Sequence, residues 1–428
     1  MTGSALGLTG VAASAQAAPG AAAPGTAACV RHAFAAEVDL TGRTVWRTPL
    51  AAPSVELATT FAPAIGATTG YWPENAAVHA LRLKDGKELW HYAQGFSLNG
   101  VWLNHAVVSV LTDDFGGGGL LSGLNASTGK LTWRVRIPGK GLTIGGPVPT
   151  HDGGLAWVRA EGQLQVVDLT TGKVRWSARQ GTPAQIALQF PQLVASGARV
   201  YYLAAGRLSA YDTLTGAAAW SVHQMPVHTT LEVSAGAVLL NGGWTGDPYG
   251  IGAVDLASGA TRWRFTSPTS LALLAGAFGH VAVAAESGTA LHEYLLDAGT
   301  GVPLWSTNTQ ILGSPVVVRK TDTIALEGNG DYDKPALLVD RSIVDGHVLW
   351  QMTLHHQAAT GQSLTVVGTT VLLNPSPEFA HPNNPLFAYN LLTGLPAWTV
   401  ASFLPLQADP VVVKKAMLLT SATDPDAC

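Results

Sequence analysis

Cysteine is almost missing from this chain: two residues in 428, Cys29 and Cys428, stand at opposite ends. That scarcity excludes a disulfide-dense mini-scaffold and any Cys-x-x-Cys metal framework. Charge is scarce too. Asp, Glu, Lys and Arg make up 12% of the residues, against about 25% in ordinary soluble domains. The formal net charge is −4 and the pI is near 6.3, so the chain lacks the basic excess that phosphate-backbone binding needs, and no nucleic-acid partner is expected. An apolar stretch without formal charge, 265–285, is interrupted by Ser267, Pro268, Thr269, Ser270 and His280. It reads as two short strands rather than a membrane span.

Several chemical signatures are missing as well. The glycines at 116–119 are followed by no Lys-Ser/Thr and no helix signal, so they read as a loop rather than a phosphate cradle. His355 and His356 adjoin, and His223 and His228 lie close together, without a His-Glu-x-x-His or His-x-Glu frame to hold zinc. There is no Gly-x-Ser-x-Gly elbow.

What the chain does have is glycine (48), proline (25) and 47% apolar residues, the composition of a large, turn-rich globule with a sizeable core. Residues 1–28 carry no charge, hold a weak apolar segment around Leu6 to Ala13 and an Ala-Gln-Ala ending at Ala17. They read as a signal-like or Ala/Pro-rich leader, to be left out of fold reasoning, and export follows from the first alternative.

One phrase recurs down the rest of the chain: VVDLTTGKVRW ending at Trp176, SAYDTLTGAAAW at Trp220, GAVDLASGATRW at Trp263, YLLDAGTGVPLW at Trp305. Weaker copies end at Trp46, Trp90, Trp133, Trp350 and Trp398, at intervals of 42 to 48 residues. Six copies match Asp/Asn-x-x-x-Gly-x-x-x-Trp. Asp39 lies one residue close to Gly42, Arg82 replaces the acid, and the copy at Trp350 reads as an insertion between Asp340 and Gly346. The acid can bond backbone N–H groups two residues on, glycine supplies a positive φ, and the phrase therefore predicts a hairpin with Trp on its outgoing strand. Two more β-branched runs precede each hairpin, as in SPVVVRK and TIALEG.

Four strands per 43 or 44 residues is one blade of a β-propeller. The fold class expected is all-β: a single propeller of four-stranded antiparallel blades over 31–421, followed by a tail at 422–428. Eight complete blades fit between Glu56 and Trp398, with half a blade at each end. The count is nine if N- and C-terminal strands share a blade to close the ring, eight if they lie outside it. A shared blade would bring Cys29 and Cys428 to flank its missing connection. Three states stay open for them: a disulfide, two free thiols, or a lipid-attachment Cys29.

The Asp-x-x-Thr-Gly-x-x-x-Trp phrase resembles the tryptophan-docking motif of the pyrroloquinoline-quinone-like β-propeller repeat family, over nearly all of Glu37 to Ser421. The resemblance implies eight blades in the usual member. It also implies company of three kinds: quinoprotein dehydrogenases, the lipoprotein of the outer-membrane assembly machine, and extracellular sensor or scaffold domains. Quinoprotein dehydrogenases typically carry adjacent cysteines beside the cofactor, which this chain lacks. No cofactor is therefore expected, with the quinone or calcium kept for the enzymatic alternative acting through the central channel.

Candidate binding residues come from the irregular connections between second and third strands, which would open onto one face: Tyr71, Trp72 and Glu74; Asp113, Asp114 and Phe115; Trp244, Asp247 and Tyr249; Asp331, Tyr332 and Asp333; Phe379 and His381. Aromatics mixed with acids suit a partner surface. Glu327, Asn329, Asp331 and Asp333 alternate as calcium ligands can, but without the glycine and the distal Glu of a calcium loop they read as a solvated acidic turn. The expectation is a monomeric, extracytoplasmic, non-enzymatic propeller that binds a protein or cell-envelope partner through this loop face.

Overall fold

The computed structural model describes residues 34–50, 62–74, 77–93, 97–113, 119–137, 147–159, 162–181, 192–223, 227–234, 236–243, 250–287, 290–307, 310–328, 336–354, 363–374, 386–400, 411–413 and 416–421. Among them are nine four-stranded antiparallel sheets and no helix. Blade 1 combines both ends of the chain. Its order is Thr44–Pro49, Phe34–Asp39, Ala416–Ser421, Val411–Val413, and Phe34 pairs with Ser421. Blades 2 to 9 follow in sequence, spanning 64–93, 97–137, 148–179, 192–223, 227–266, 271–306, 310–353 and 363–400. The count of nine, with a shared blade, is the alternative the structure takes.

Burial explains why the apolar runs look as they do. In blade 4 every residue of the second strand, Gly154–Val158, is buried, because neighbouring blades cover both of its faces. The fourth strand alternates, with one side toward solvent, as in Glu88–Ala93. Each of nine apolar clusters straddles two successive blades. The cluster of Ala36, Val38, Leu372 and Ala388 joins blade 9 to blade 1, so the packing runs all the way round. First strands pack on one another between blades 2 and 3 and from blade 4 through blade 9, and line the inner side of the ring.

The tryptophans dock as the motif requires. In blade 7 the carboxylate of Asp297 accepts the N–H groups of Gly299 (3.1 Å) and Thr300 (2.8 Å), Gly301 stands at φ +72°, and a bulge between Pro303 and Trp305 aims the ring at blade 8. Trp263, from blade 6, lies on Gly301. A Cβ there would come within 2.6 Å of the indole, and the indole N–H donates to the Ala298 carbonyl at 2.8 Å. Eight of the nine indoles donate in this way to the next blade, with Trp398 of blade 9 reaching the Leu40 carbonyl of blade 1 at 2.8 Å. Trp133 packs on Gly172 like the others, but its N–H has no acceptor: the Leu169 carbonyl takes the Ser109 hydroxyl at 3.1 Å instead.

Two sequence expectations change here. The copy at Trp350 has no insertion: Ser342 stands in the acid's place, bonding His347 and Gly346 through its backbone as Asp297 bonds its own turn, while Asp340 lies back on the strand and is buried. The segment around Trp72 is strand rather than loop. Thr69–Glu74 pairs fully with Ala77–Arg82, and Pro73 fits because the first strand ends its pairing at Tyr71, leaving no partner on that side to lose.

Candidate functional site

Antiparallel blades put two kinds of connection on opposite faces. Turns between first and second strands, and between third and fourth, share one face, and their lengths are nearly uniform at two to five residues. Connections between second and third strands, and from one blade to the next, share the other. There the length runs from two residues after Ala204 to eleven after Asn374 and fourteen after Pro49. All of the irregularity in chain length is on this second face. The framework beneath it is regular, so the loops are carried on rigid strand ends, which is how binding loops are commonly mounted.

Among the fourteen candidate residues, Tyr71 and Trp72 are brought inside rather than to the loop face. Trp72 is fully buried between blades 1 and 2, edge-on to Trp46 at 5.8 Å, with Ala35, Leu50 and Leu81 around it. Tyr71 packs against Trp90 at 5.7 Å, and its hydroxyl donates to the Ala126 carbonyl at 3.2 Å. Glu74 and Asp113 end their second strands at the loop face. Asp114, Phe115, Trp244, Asp247, Tyr249, Asp331, Tyr332, Asp333, Phe379 and His381 lie outside the described residues, as do Cys29 and Cys428.

Glu327 is not part of a solvated acidic turn. It sits buried on the strand Asp322–Gly328, and Arg341 grips it with two bonds, Nε to Oε1 at 2.6 Å and Nη2 to Oε2 at 2.8 Å. Across the blade interface, Glu293 of blade 7 is fully buried with both carboxyl oxygens unpartnered. Burial first, and the neighbouring Glu327 charge second, push its pKa up to about 8. On the other face of blade 8, burial and the Asp322 charge push Asp340 up to about 7. Nothing local in the sequence announces this cluster, because its members are 14 to 48 residues apart. Glu293 has no solvent-exposed surface, so it belongs to the wall between blades 7 and 8 rather than to a surface site.

In blade 2, His79 and His91 flank one carboxylate: Glu88 meets His91 Nδ1 at 2.9 Å and His79 Nδ1 at 3.1 Å. Among the described residues no group of three His, Cys, Asp or Glu side chains is arranged to hold a metal ion. A cavity of about 650 Å³ opens at the inner ends of blades 2 to 4, walled by Ile65, Val101, Trp102, Pro149 and Leu169. Its Asn104 amide is already engaged, donating to Thr170 Oγ1 at 2.9 Å and the Gly153 carbonyl at 3.4 Å, so that polar group ties the wall together.

The sequence profile described as outer membrane protein assembly factor BamB matches residues 100–238 and 249–405. No curated sequence matches the chain. Among solved structures, BamB from Moraxella catarrhalis is similar at 17% identity and a TM-score of 0.47, covering 68% of this chain and 87% of its own. The quinohemoprotein alcohol dehydrogenase ADHIIG from Pseudomonas putida HK5 is similar at 12% identity and a TM-score of 0.48, over 85% and 74%. Sqt1 from Saccharomyces cerevisiae is similar at 12% and 0.49, over 76% and 93%.

Proposed function

For a chain that belongs to the family described as outer membrane protein assembly factor BamB, within the pyrroloquinoline-quinone-like propellers, we propose a non-enzymatic scaffold that binds a protein or cell-envelope partner through its irregular loop face. The observation that carries this reading is the asymmetry of the connections. A propeller needs only short turns to close its blades, and the turn face uses nothing longer than five residues. Long connections, rich in aromatics and acids, gather on the opposite face alone. Such chain is retained where a partner fixes it. The family description places the relatives at the outer membrane, and with the signal-like leader this supports an extracytoplasmic location. A single propeller over 31–421, acting as a monomer without a cofactor, completes the proposal.

The test is capture from envelope extract by the wild-type chain and by a Phe115→Ala, Trp244→Ala, Tyr332→Ala triple variant. Trp72 is left intact, since its loss would damage the core. One partner lost with the variant while the fold is kept is the expected result; equal recovery of every partner overturns the loop-face assignment. Adding the quinone with calcium and assaying dye-linked oxidation of alcohols or sugars addresses the enzymatic alternative, and turnover would replace the scaffold reading.

A further inference from the structure

The uniform turn face is not uniform in chemistry. At the residue after each docking glycine, blades 1 to 4 carry Arg43, Lys87, Lys130 and Lys173, all exposed. Blades 5, 6, 7 and 9 carry Ala217, Ala260, Val302 and Leu395, also exposed, and blade 8 carries His347, which pairs with Asp345. The turn tips follow the same division. Val344 of blade 8 is 78% exposed and Leu392 of blade 9 is 75% exposed.

A second feature marks the apolar half. Phe278, 65% exposed, stands at φ +50° in the two-residue turn between the first and second strands of blade 7. A turn of this kind favours Asn, Asp or Gly, and a bulky aromatic there sustains left-handed backbone without a polar side chain to help it. Its ring is left in solvent, so interior packing does not explain its choice. The Ala298 N–H donates to the Gly279 carbonyl at 2.9 Å, tying this turn to the outer turn of the same blade. In blade 8 the equivalent turn presents exposed Lys320, tied in the same way to the outer turn by the Ile343 N–H to Thr321 carbonyl bond at 3.0 Å.

We propose that this turn face rests on an anionic lipid bilayer. Phe278, Val302, Val344 and Leu392 enter the interfacial layer, while Lys87, Lys130, Lys173 and Lys320 meet lipid phosphates. The apolar groups stand one or two to a blade on separate tips, and a bilayer accepts shallow, scattered insertion of this kind, whereas a protein anchor is held by a clustered, well-packed pocket. The charges fit the same occupant. Lys87, Lys130, Lys173 and Lys320 make no ion pair among the described residues. Of the acids on the same face, Asp39 binds Arg43, Asp168 and Asp255 bind their own turns and an Arg each, Asp85 binds Arg82, Asp345 binds His347, and Asp212 and Asp297 accept the N–H groups of their own turns. Anionic headgroups attract such an unmatched row. Docked this way, the propeller points its irregular loop face away from the membrane.

Sedimentation of the full chain with vesicles tests the proposal. Binding is expected to phosphatidylcholine mixed with phosphatidylglycerol, weaker binding to phosphatidylcholine alone, and weakening with added salt. A Val344→Ser, Leu392→Ser double variant should lose at least about tenfold in affinity for the mixed vesicles, given that roughly 0.8 kcal/mol attends each buried methylene. A Lys130→Gln, Lys173→Gln, Lys320→Gln variant should abolish the preference for phosphatidylglycerol. Because these side chains are exposed, unchanged melting temperatures confirm that both variants fold. No binding to the mixed vesicles, or binding that folded variants leave unaltered, overturns the proposal. So does a concentration-dependent dimer of the wild type that the apolar double variant abolishes, which would assign the patch to a second copy. Partner capture through Trp244 on the opposite face is unaffected by any of these outcomes, so the two readings fail separately.

Discussion

Replacing a docking tryptophan by phenylalanine should have opposite consequences in two blades, because the structure gives the two indoles different partners. Trp263 and Trp133 hold the same place in the repeat, and each ring covers the glycine of the next blade. Trp263 donates to the Ala298 carbonyl at 2.8 Å; the Trp133 N–H is buried with no acceptor. Trp263→Phe removes that hydrogen bond and leaves a buried carbonyl unpaired, a loss of about 1 to 3 kcal/mol, with a further ~1 kcal/mol for the smaller ring. Trp133→Phe loses the same apolar area but removes an unpaired buried donor that destabilises the native state by about 1 to 3 kcal/mol, so the change should be near neutral or stabilising. The expected difference is about 2 to 6 kcal/mol. Urea denaturation of the three proteins, with unchanged slopes, measures it directly. Equal losses within about 0.5 kcal/mol would show that the docking bond contributes nothing and that ring packing alone holds the blades.

Glu293→Gln should change how stability depends on pH. The folded protein holds the Glu293 proton up to about pH 8, whereas the unfolded chain releases it near pH 4.5, so its contribution is complete below about pH 4.5 and is lost as pH rises through 8, at about 1.4 kcal/mol per unit. Denaturation midpoints from pH 5 to 9 should fall less steeply for the variant, and parallel curves would remove the buried-proton account. Gly301→Ala should cost about 2 to 4 kcal/mol, since the added Cβ meets the Trp263 ring as well as an unfavourable φ. Gly279→Ala, at φ +84° with nothing within 4 Å, should cost only about 1 to 2 kcal/mol. Similar thermal shifts for the two would mean that the glycine is required for its backbone and not for space.

The ring was legible in the sequence because its chemistry is local. An acid, a glycine and a tryptophan within nine residues make a turn and its docking group, and their repetition counts the blades. Where the acid is replaced, the turn survives on backbone bonds, and Ser342 was invisible because Asp340 lay two residues away and looked like the better candidate. Trp72 was misread for a related reason: Gly70 and Pro73 punctuate a loop in most sequences, and only the early end of the neighbouring strand makes Pro73 acceptable in this one. Glu327 looked like one of a row of turn acids because its partner, Arg341, becomes adjacent only when two strands pair. The chemical division of the turn face was present as a drift from Lys or Arg to Ala, Val or Leu after successive glycines, interrupted by His347, but it acquires meaning only once the turns are known to share a face.

The composite blade 1 also sets an order of events. Residues 34–49 form its outer half and 411–421 its inner half, so the first strands to be synthesised have no sheet to join until nearly the last have been made. The contact between Trp398 and Leu40 links positions 358 residues apart, and contacts of such separation are slow to find. Eight sheets can assemble as they emerge, while the seam stays an exposed edge, open to pairing with another chain. Completion of the ring is therefore a single late step, and a chain handed across a membrane from its N-terminus would take its final shape only on the far side.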